Sequence, residues 1–144
     1  MTDTPTSQVT EVAHNLRIAV NRTTRQLRAA GARKITLTQM SAMATIKEAG
    51  QLTLGELATR ERVQPPSMTR VIATLTDNGL VERISDPADG RQVLVSLTPE
   101  GREVLAEEGR TREAWLSQAL ADLPPAELKV LAEASDIMMR LVGE

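Results

Sequence analysis

Residues 65–77 place two kinds of side chain on two sides of one helical repeat. Met68, Val71, Ile72 and Leu75 fall at i, i+3, i+4 and i+7 and form an apolar face. Pro66, Arg70, Ala73, Thr74 and Asp77 fall opposite, flanked by Ser67 and Thr69. A helix of this kind anchors itself by one face and offers short or hydrogen-bonding groups on the other. The major groove of duplex DNA admits a helix only at such close approach. Arg70 has the fork geometry to contact a guanine edge or hold a phosphate. Gln64, Pro65 and Pro66 stand at the helix start, where the rigid prolines can touch a thymine methyl. Taken alone, the pattern fits an amphipathic surface helix that binds nothing somewhat better.

The residues that follow shift the balance. After Asn78-Gly79, a stop signal, the period changes from about 3.6 to 2. Leu80 to Ser85 reads as one strand, and Gln92 to Leu97 as a second. Between them Asp86-Pro87-Ala88-Asp89-Gly90-Arg91 is dense in turn formers. A hairpin tipped by a cation, directly after such a helix, is a wing. Arg91 is the expected probe of the minor groove, where negative potential concentrates, and Asp89 is placed to hold its guanidinium. Arg83 adds a cation on the first strand. The plainer reading of Asp86, Asp89 and Arg91 is turn chemistry with an exposed ion pair worth ~1 kcal/mol or less; a turn can do both.

The elements that position these residues are also legible. Residues 1–8 read as a frayed end. An amphipathic helix runs from Val9 through Val12, Leu16 and Leu27 to a stop at Gly31. Thr38 is a good N-cap for a second helix carrying Met40, Met43, Ala44 and Ile46, ended by Gly50. Thr53-Leu54-Gly55-Glu56 matches a capping box and opens a short third helix that runs out near Arg60 to Arg62. Pro65-Pro66 starts the fourth. After the hairpin, Thr98-Pro99 starts a long helix, Leu123-Pro124-Pro125 breaks it, and a last helix carries Leu128, Leu131, Ile137 or Met138, and Leu141. Two short helices joined by a tight turn, the second polar on its outer side, describe a helix-turn-helix. The expected fold is mainly α with a small β-hairpin wing: a winged helix-turn-helix plus a helical dimerisation domain.

Composition narrows the chemistry. The 144 residues contain no Cys, no Phe, no Tyr, one Trp and one His. Disulfides, thiol sensing and Cys-ligated zinc are excluded, and His14 alone cannot make a metal site. Scarce aromatics argue against base stacking on single strands. No nucleophile–base pair, glycine-rich phosphate loop or metal cluster is present, so an enzyme is not expected, nor any cofactor. The start of the chain has no signal-peptide pattern and no stretch is long enough to span a membrane, so a cytoplasmic protein is expected. The net charge of −2 hides an asymmetry. Residues 1–47 hold seven Lys or Arg against two acids, 48–97 hold five against seven, and 98–144 hold five against ten. A local basic surface suffices for phosphate contact whatever the sum.

Residues 53–101 resemble the DNA-binding core of the multiple antibiotic resistance regulator (MarR) family. The resemblance rests on Leu54-Gly55-Glu56-Leu57-Ala58, Ser67-Met68-Thr69-Arg70-Val71-Ile72, Leu75, Asn78-Gly79-Leu80-Val81 and Arg83. It continues through Asp86-Pro87-Ala88-Asp89-Gly90-Arg91 and Val95-Ser96-Leu97-Thr98-Pro99-Glu100-Gly101. The Asp-x-Arg of the wing and the Leu-Thr-x-x-Gly after it are the most specific parts. The flanking helices fit in order and length. The resemblance implies a homodimer that binds palindromic promoter DNA, usually as a repressor, and lets go when a small anionic or aromatic effector settles between the dimer and winged domains. It carries over to Ser67, Thr69 and Arg70 on the recognition helix and to Arg91 on the wing. Gln64-Pro65-Pro66 departs from the serine-rich start common in the family, which leaves base preference open.

Dimerisation also has a physical reason: the first helix and the last two are amphipathic, lie outside the winged core, and need a partner for their apolar stripes. The expected division is residues 1–35 and 99–144 for dimerisation and 36–98 for DNA. An effector pocket is expected where the first, second and fifth helices meet, near Arg17, Met40, Met43, Lys47 and Trp115, although Met residues there also suit plain core. The alternative to a DNA regulator is a winged-helix module that binds protein, which the acidic last third favours slightly and a poised Arg91 does not.

Overall fold

The computed structural model describes residues 5–143. In chain order the elements are α1 (Pro5–Ala30), α2 (Leu37–Ala49), β1 (Leu52–Thr53), α3 (Leu54–Glu61), α4 (Pro65–Asp77), β2 (Val81–Ser85), β3 (Val93–Leu97), α5 (Pro99–Leu120) and α6 (Pro125–Val142). The antiparallel sheet has the order β1-β3-β2. The fold is mainly helical with a small winged sheet. It divides into two compact units, one up to Arg112 and one from Glu113, the division falling within α5.

Several boundaries differ from the sequence reading. Residues 6–8, expected to fray, belong to α1, and residues 1–4 lie outside the described part. The N-cap of α2 is Thr36, not Thr38. Thr36 is extended, its Oγ1 accepts from Gln39 N at 3.1 Å, and Gln39 Oε1 accepts from Thr36 N at 3.0 Å, a complete capping box. Two donors satisfied at once outweigh the single cap Thr38 offers. At Thr53 the first half of the expected box is made, Oγ1 accepting from Glu56 N at 3.1 Å. β1 is an element the sequence did not suggest. Two residues are too few for a periodic signal, and Leu52↔Val95 and Thr53↔Leu94 form only because β3 supplies a free edge. Leu80 precedes β2 rather than starting it, and Gln92 closes the turn rather than entering β3.

The core of the first unit is aliphatic. Ala42, Met43 and Ile46 of α2, Leu57 and Ala58 of α3, and Met68, Ile72 and Leu75 of α4 close on Leu52, Val81, Val95 and Leu97 of the sheet, with Val104 of α5 beneath. The inner face of α2 is thus set by Ala42, while Ala44 is exposed.

A compact knot joins α4, the sheet and α5. Gly79 adopts φ 73°, a left-handed conformation that glycine takes without strain, and ends α4. Thr98 Oγ1 donates to Gly79 O at 2.6 Å and accepts from Gly101 N at 3.0 Å, while Thr98 N donates to Leu80 O at 3.1 Å. The helix lies so close that a Cβ on Gly101 would stand 2.0 Å from Leu80 O.

A second joint is polar and buried. Glu108 and Arg112, one turn apart on α5, are 0% and 6% exposed. Their closest charged atoms lie 3.7 Å apart. Arg112 Nε donates to Leu27 O at 3.2 Å and Nη2 to Ile35 O at 3.1 Å; Arg33 N donates to Glu108 Oε1 at 2.9 Å. The pair thereby binds the end of α1 and the α1–α2 loop to α5. Gly31 leaves room for it, since a Cβ there would lie 2.8 Å from Arg112 Nη2. Sequence reasoning passed over this pair because a charged stretch of helix ordinarily reads as a solvated face.

The second unit comprises the end of α5 and all of α6, joined by a turn in which Leu123 N donates to Leu120 O at 3.1 Å. Pro125 opens α6, and no residue of α6 is buried. Its Leu128, Val130, Leu131, Ile137, Met139, Leu141 and Val142 are exposed, Leu141 by 75%. Among the described residues no helix is long and apolar enough to cross a membrane.

Two stability measurements check these joints, both by urea denaturation at matched protein concentration. Gly101→Ala is expected to destabilise by about 3 kcal/mol, because the added methyl can be housed only by moving backbone. Arg112→Met, which strands the Glu108 carboxylate in the interior, is expected to lose about 3–5 kcal/mol, and Glu108→Leu combined with Arg112→Met to recover most of it.

Candidate nucleic-acid interface

The interface is built from the orientation of α4. Met68, Ile72 and Leu75 are at most 1% exposed, so this face is fully committed to the core. With its rotation fixed, the helix turns Pro65, Pro66, Ser67, Thr69, Arg70 and Thr74 to the surface, and Gln64, its N-cap, is exposed as well. The two prolines occupy the first turn, where a missing N–H leaves no helical bond unmade. Thr69 Oγ1 donates to Pro65 O at 2.9 Å and Thr74 Oγ1 to Arg70 O at 3.1 Å. Both hydroxyl protons are therefore used within the helix. What these threonines offer outward is an oxygen acceptor and a methyl group.

The turn before α4 is a Schellman type. Arg62 N donates to Thr59 O at 3.2 Å and Val63 N to Ala58 O at 3.0 Å, with Val63 packed against the core. Arg62 sits at φ 52°, ψ 40°, the left-handed region. Glu61 is tied to α2, its carboxylate accepting from Ser41 Oγ at 2.6 Å and from Thr45 Oγ1.

The β2–β3 hairpin leaves the core as it lengthens. Val81 and its partner Leu97 are buried, whereas Ile84 and Val93 near the tip are 40% and 42% exposed. Arg83, paired with Val95, is exposed on β2. The tip is held by its own aspartates. Asp86 Oδ1 accepts from Ala88 N at 2.8 Å, Asp89 Oδ1 accepts from Arg91 N at 3.1 Å, and Asp86 N and Gln92 N close the loop at 3.0 Å each. Asp89 thus grips the backbone of Arg91. The guanidinium contact expected from the sequence is not made, because the short Asp side chain reaches the nearer N–H first. Arg91 is left exposed and free to extend.

The arginines of this region share one property. Arg60, Arg62, Arg70, Arg83 and Arg91 are all exposed, and among the described residues none has a carboxylate within ion-pair distance, whereas Arg33, Arg112 and Lys129 each do. The ten residues singled out for DNA, from Gln64 to Arg91, all lie at the surface of α4 and the hairpin.

The expected effector residues differ in burial. Met43 is enclosed by the core, Met40 is half-buried, and Arg17 and Lys47 are exposed. Trp115, half-buried, belongs to the second unit. A cavity of about 380 Å³ lies elsewhere in the first unit, with Arg33 and Lys34 facing Asn78, Leu80 and Glu100.

Residues 35–93 match the model of the MarR family. The chain is 47% identical over 134 residues to an uncharacterized HTH-type transcriptional regulator of Mycobacterium bovis, covering 92% of this chain and 94% of that one. Among solved structures it resembles a putative transcriptional regulator of Pseudomonas aeruginosa, with 33% identity, a TM-score of 0.82 and coverage of 97% and 99%. It also shares its fold with a mutant MarR from Escherichia coli complexed with operator DNA, at 22% identity, a TM-score of 0.72 and coverage of 95% and 99%.

Proposed function

The chain belongs to the MarR family of HTH-type transcriptional regulators, and from that premise we propose that it binds palindromic promoter DNA sequence-specifically, as a homodimer in the cytoplasm, and represses until a small effector releases it. The observation that carries this reading is the coincidence of a close-approach face on α4 with unpaired exposed arginines on α4 and the wing. The core holds α4 by its apolar side alone, so the other side is available to a groove. Gln64, Pro65, Pro66, Ser67, Thr69, Arg70 and Thr74 meet base edges and backbone in the major groove. Arg91, on a tip that Asp89 stiffens, enters the flanking minor groove, and Arg83 holds a phosphate.

The dimer reading is supported by apolar surface that has no use in a single chain. Val9, Val12, Leu16 and Val20 repeat at helical spacing on α1, and Val9 is 68% exposed. All of α6 is unburied as well. A two-fold interface built from residues 1–35 and 99–144 buries both stripes and carries two 36–98 modules into successive turns of one DNA face. An anionic or aromatic effector finds a cation at Lys34, which lines the cavity of the first unit.

Fluorescence anisotropy on a duplex from the chain's own upstream region, run as a salt series, tests the reading. The parent is expected to bind tightly and more weakly as salt rises, with Arg70→Ala and Arg91→Ala each losing about 1–3 kcal/mol. Binding that does not depend on salt, or an Arg91→Ala variant equal to the parent on every duplex, would move the protein-binding alternative to the front.

A further inference from the structure

Arg62 stands where the fold asks for glycine. The Schellman turn that joins α3 to α4 needs one residue in the left-handed region, and glycine meets that need without steric strain. Arg62 holds it at φ 52°, and among the described residues it is the sole non-glycine residue with positive φ. An L side chain in that conformation loses stability. Packing does not explain the choice, because Arg62 is exposed and its turn is anchored by its neighbour Val63.

The charge around it points the same way. Glu61, the adjacent acid, is held by Ser41 and Thr45 of α2 and is not paired with Arg62. The turn therefore carries an uncompensated cation two residues before Gln64, the N-cap of α4. A strained residue kept at an exposed turn is grounds for assigning it a function. An unpaired guanidinium at the start of the proposed groove-reading helix matches a phosphate oxygen.

We propose that Arg62 is a DNA-backbone contact of this protein, one per protomer, which adds affinity independent of base sequence. The inference rests on the DNA-binding reading above. Stability is given up at the turn in exchange for a cation that glycine cannot supply.

The test pairs two readouts on Arg62→Gly and Arg62→Lys in the full chain. Thermal unfolding at one protein concentration is expected to give a midpoint for Arg62→Gly about 3 °C above the parent. Anisotropy is expected to show that the same variant binds about tenfold more weakly. The loss should be equal on the upstream duplex and on a random-sequence duplex, since a phosphate contact carries no sequence information. The slope of log affinity against log salt should shrink by about 2, one counterion for each protomer. Arg62→Lys, which keeps the charge and the strain, is expected to retain the parent's slope and unfold at the parent's midpoint.

An Arg62→Gly variant that is more stable yet binds with the parent's affinity and slope overturns the proposal. If Arg70→Ala and Arg91→Ala still weaken binding in that case, the DNA-binding reading survives without Arg62. If the parent itself shows no salt-dependent binding to either duplex, both fall together.

Discussion

The knot between Gly79-Leu80 and Thr98-Gly101 is the constraint on which the rest of the winged region hangs. One hydroxyl and one missing Cβ bring four events to a single place: the end of α4, the start of β2, the end of β3 and the start of α5. The exposed face of α4 and the base of the wing therefore share one rigid reference point. Loosening it would change the angle between helix and hairpin, on which the proposed engagement of adjacent grooves depends. Further along α5 the Glu108–Arg112 pair ties the same helix to the end of α1 and the α1–α2 loop. A buried pair of this sort adds little net stability over an apolar substitute, but it accepts only one arrangement of the carbonyls and N–H group around it. Its role is to fix where α1 and α2 meet α5.

Much of this was legible in the sequence because the local signals agree with the tertiary ones. The i, i+3, i+4, i+7 spacing of Met68, Val71, Ile72 and Leu75 set the phase of α4, and the core confirms Met68, Ile72 and Leu75 as its deepest residues. Asn78-Gly79 and the period change gave the hairpin. What escaped the sequence lacks periodicity or depends on distant partners. β1 exists only through its pairing with β3. The N-cap of α2 falls at Thr36 and not Thr38 because Gln39 supplies a return bond to Thr36. Asp89 was expected to hold the Arg91 guanidinium, and it holds the Arg91 backbone N–H instead.

Charge is unevenly placed over the winged region. Three acids of the winged region are held by neutral donors, Glu61 by two hydroxyls of α2 and Asp86 and Asp89 by backbone N–H groups of the wing tip, whereas Asp77 stands exposed on α4. The cations there are left unpaired among the described residues. A net charge of −2 describes the whole chain and not the local placing of its exposed arginines.

Hydroxyl-radical footprinting of the parent and of Arg91→Ala on the upstream duplex tests the central claim, that α4 and the wing act together from each protomer of a dimer, most directly. The account expects two symmetric protected zones with centres about 10 base pairs or a multiple apart. It also expects a flanking minor-groove protection on each side that disappears in Arg91→Ala while the central zones persist. A single unsymmetric zone, or flanking protection that survives without Arg91, would contradict it.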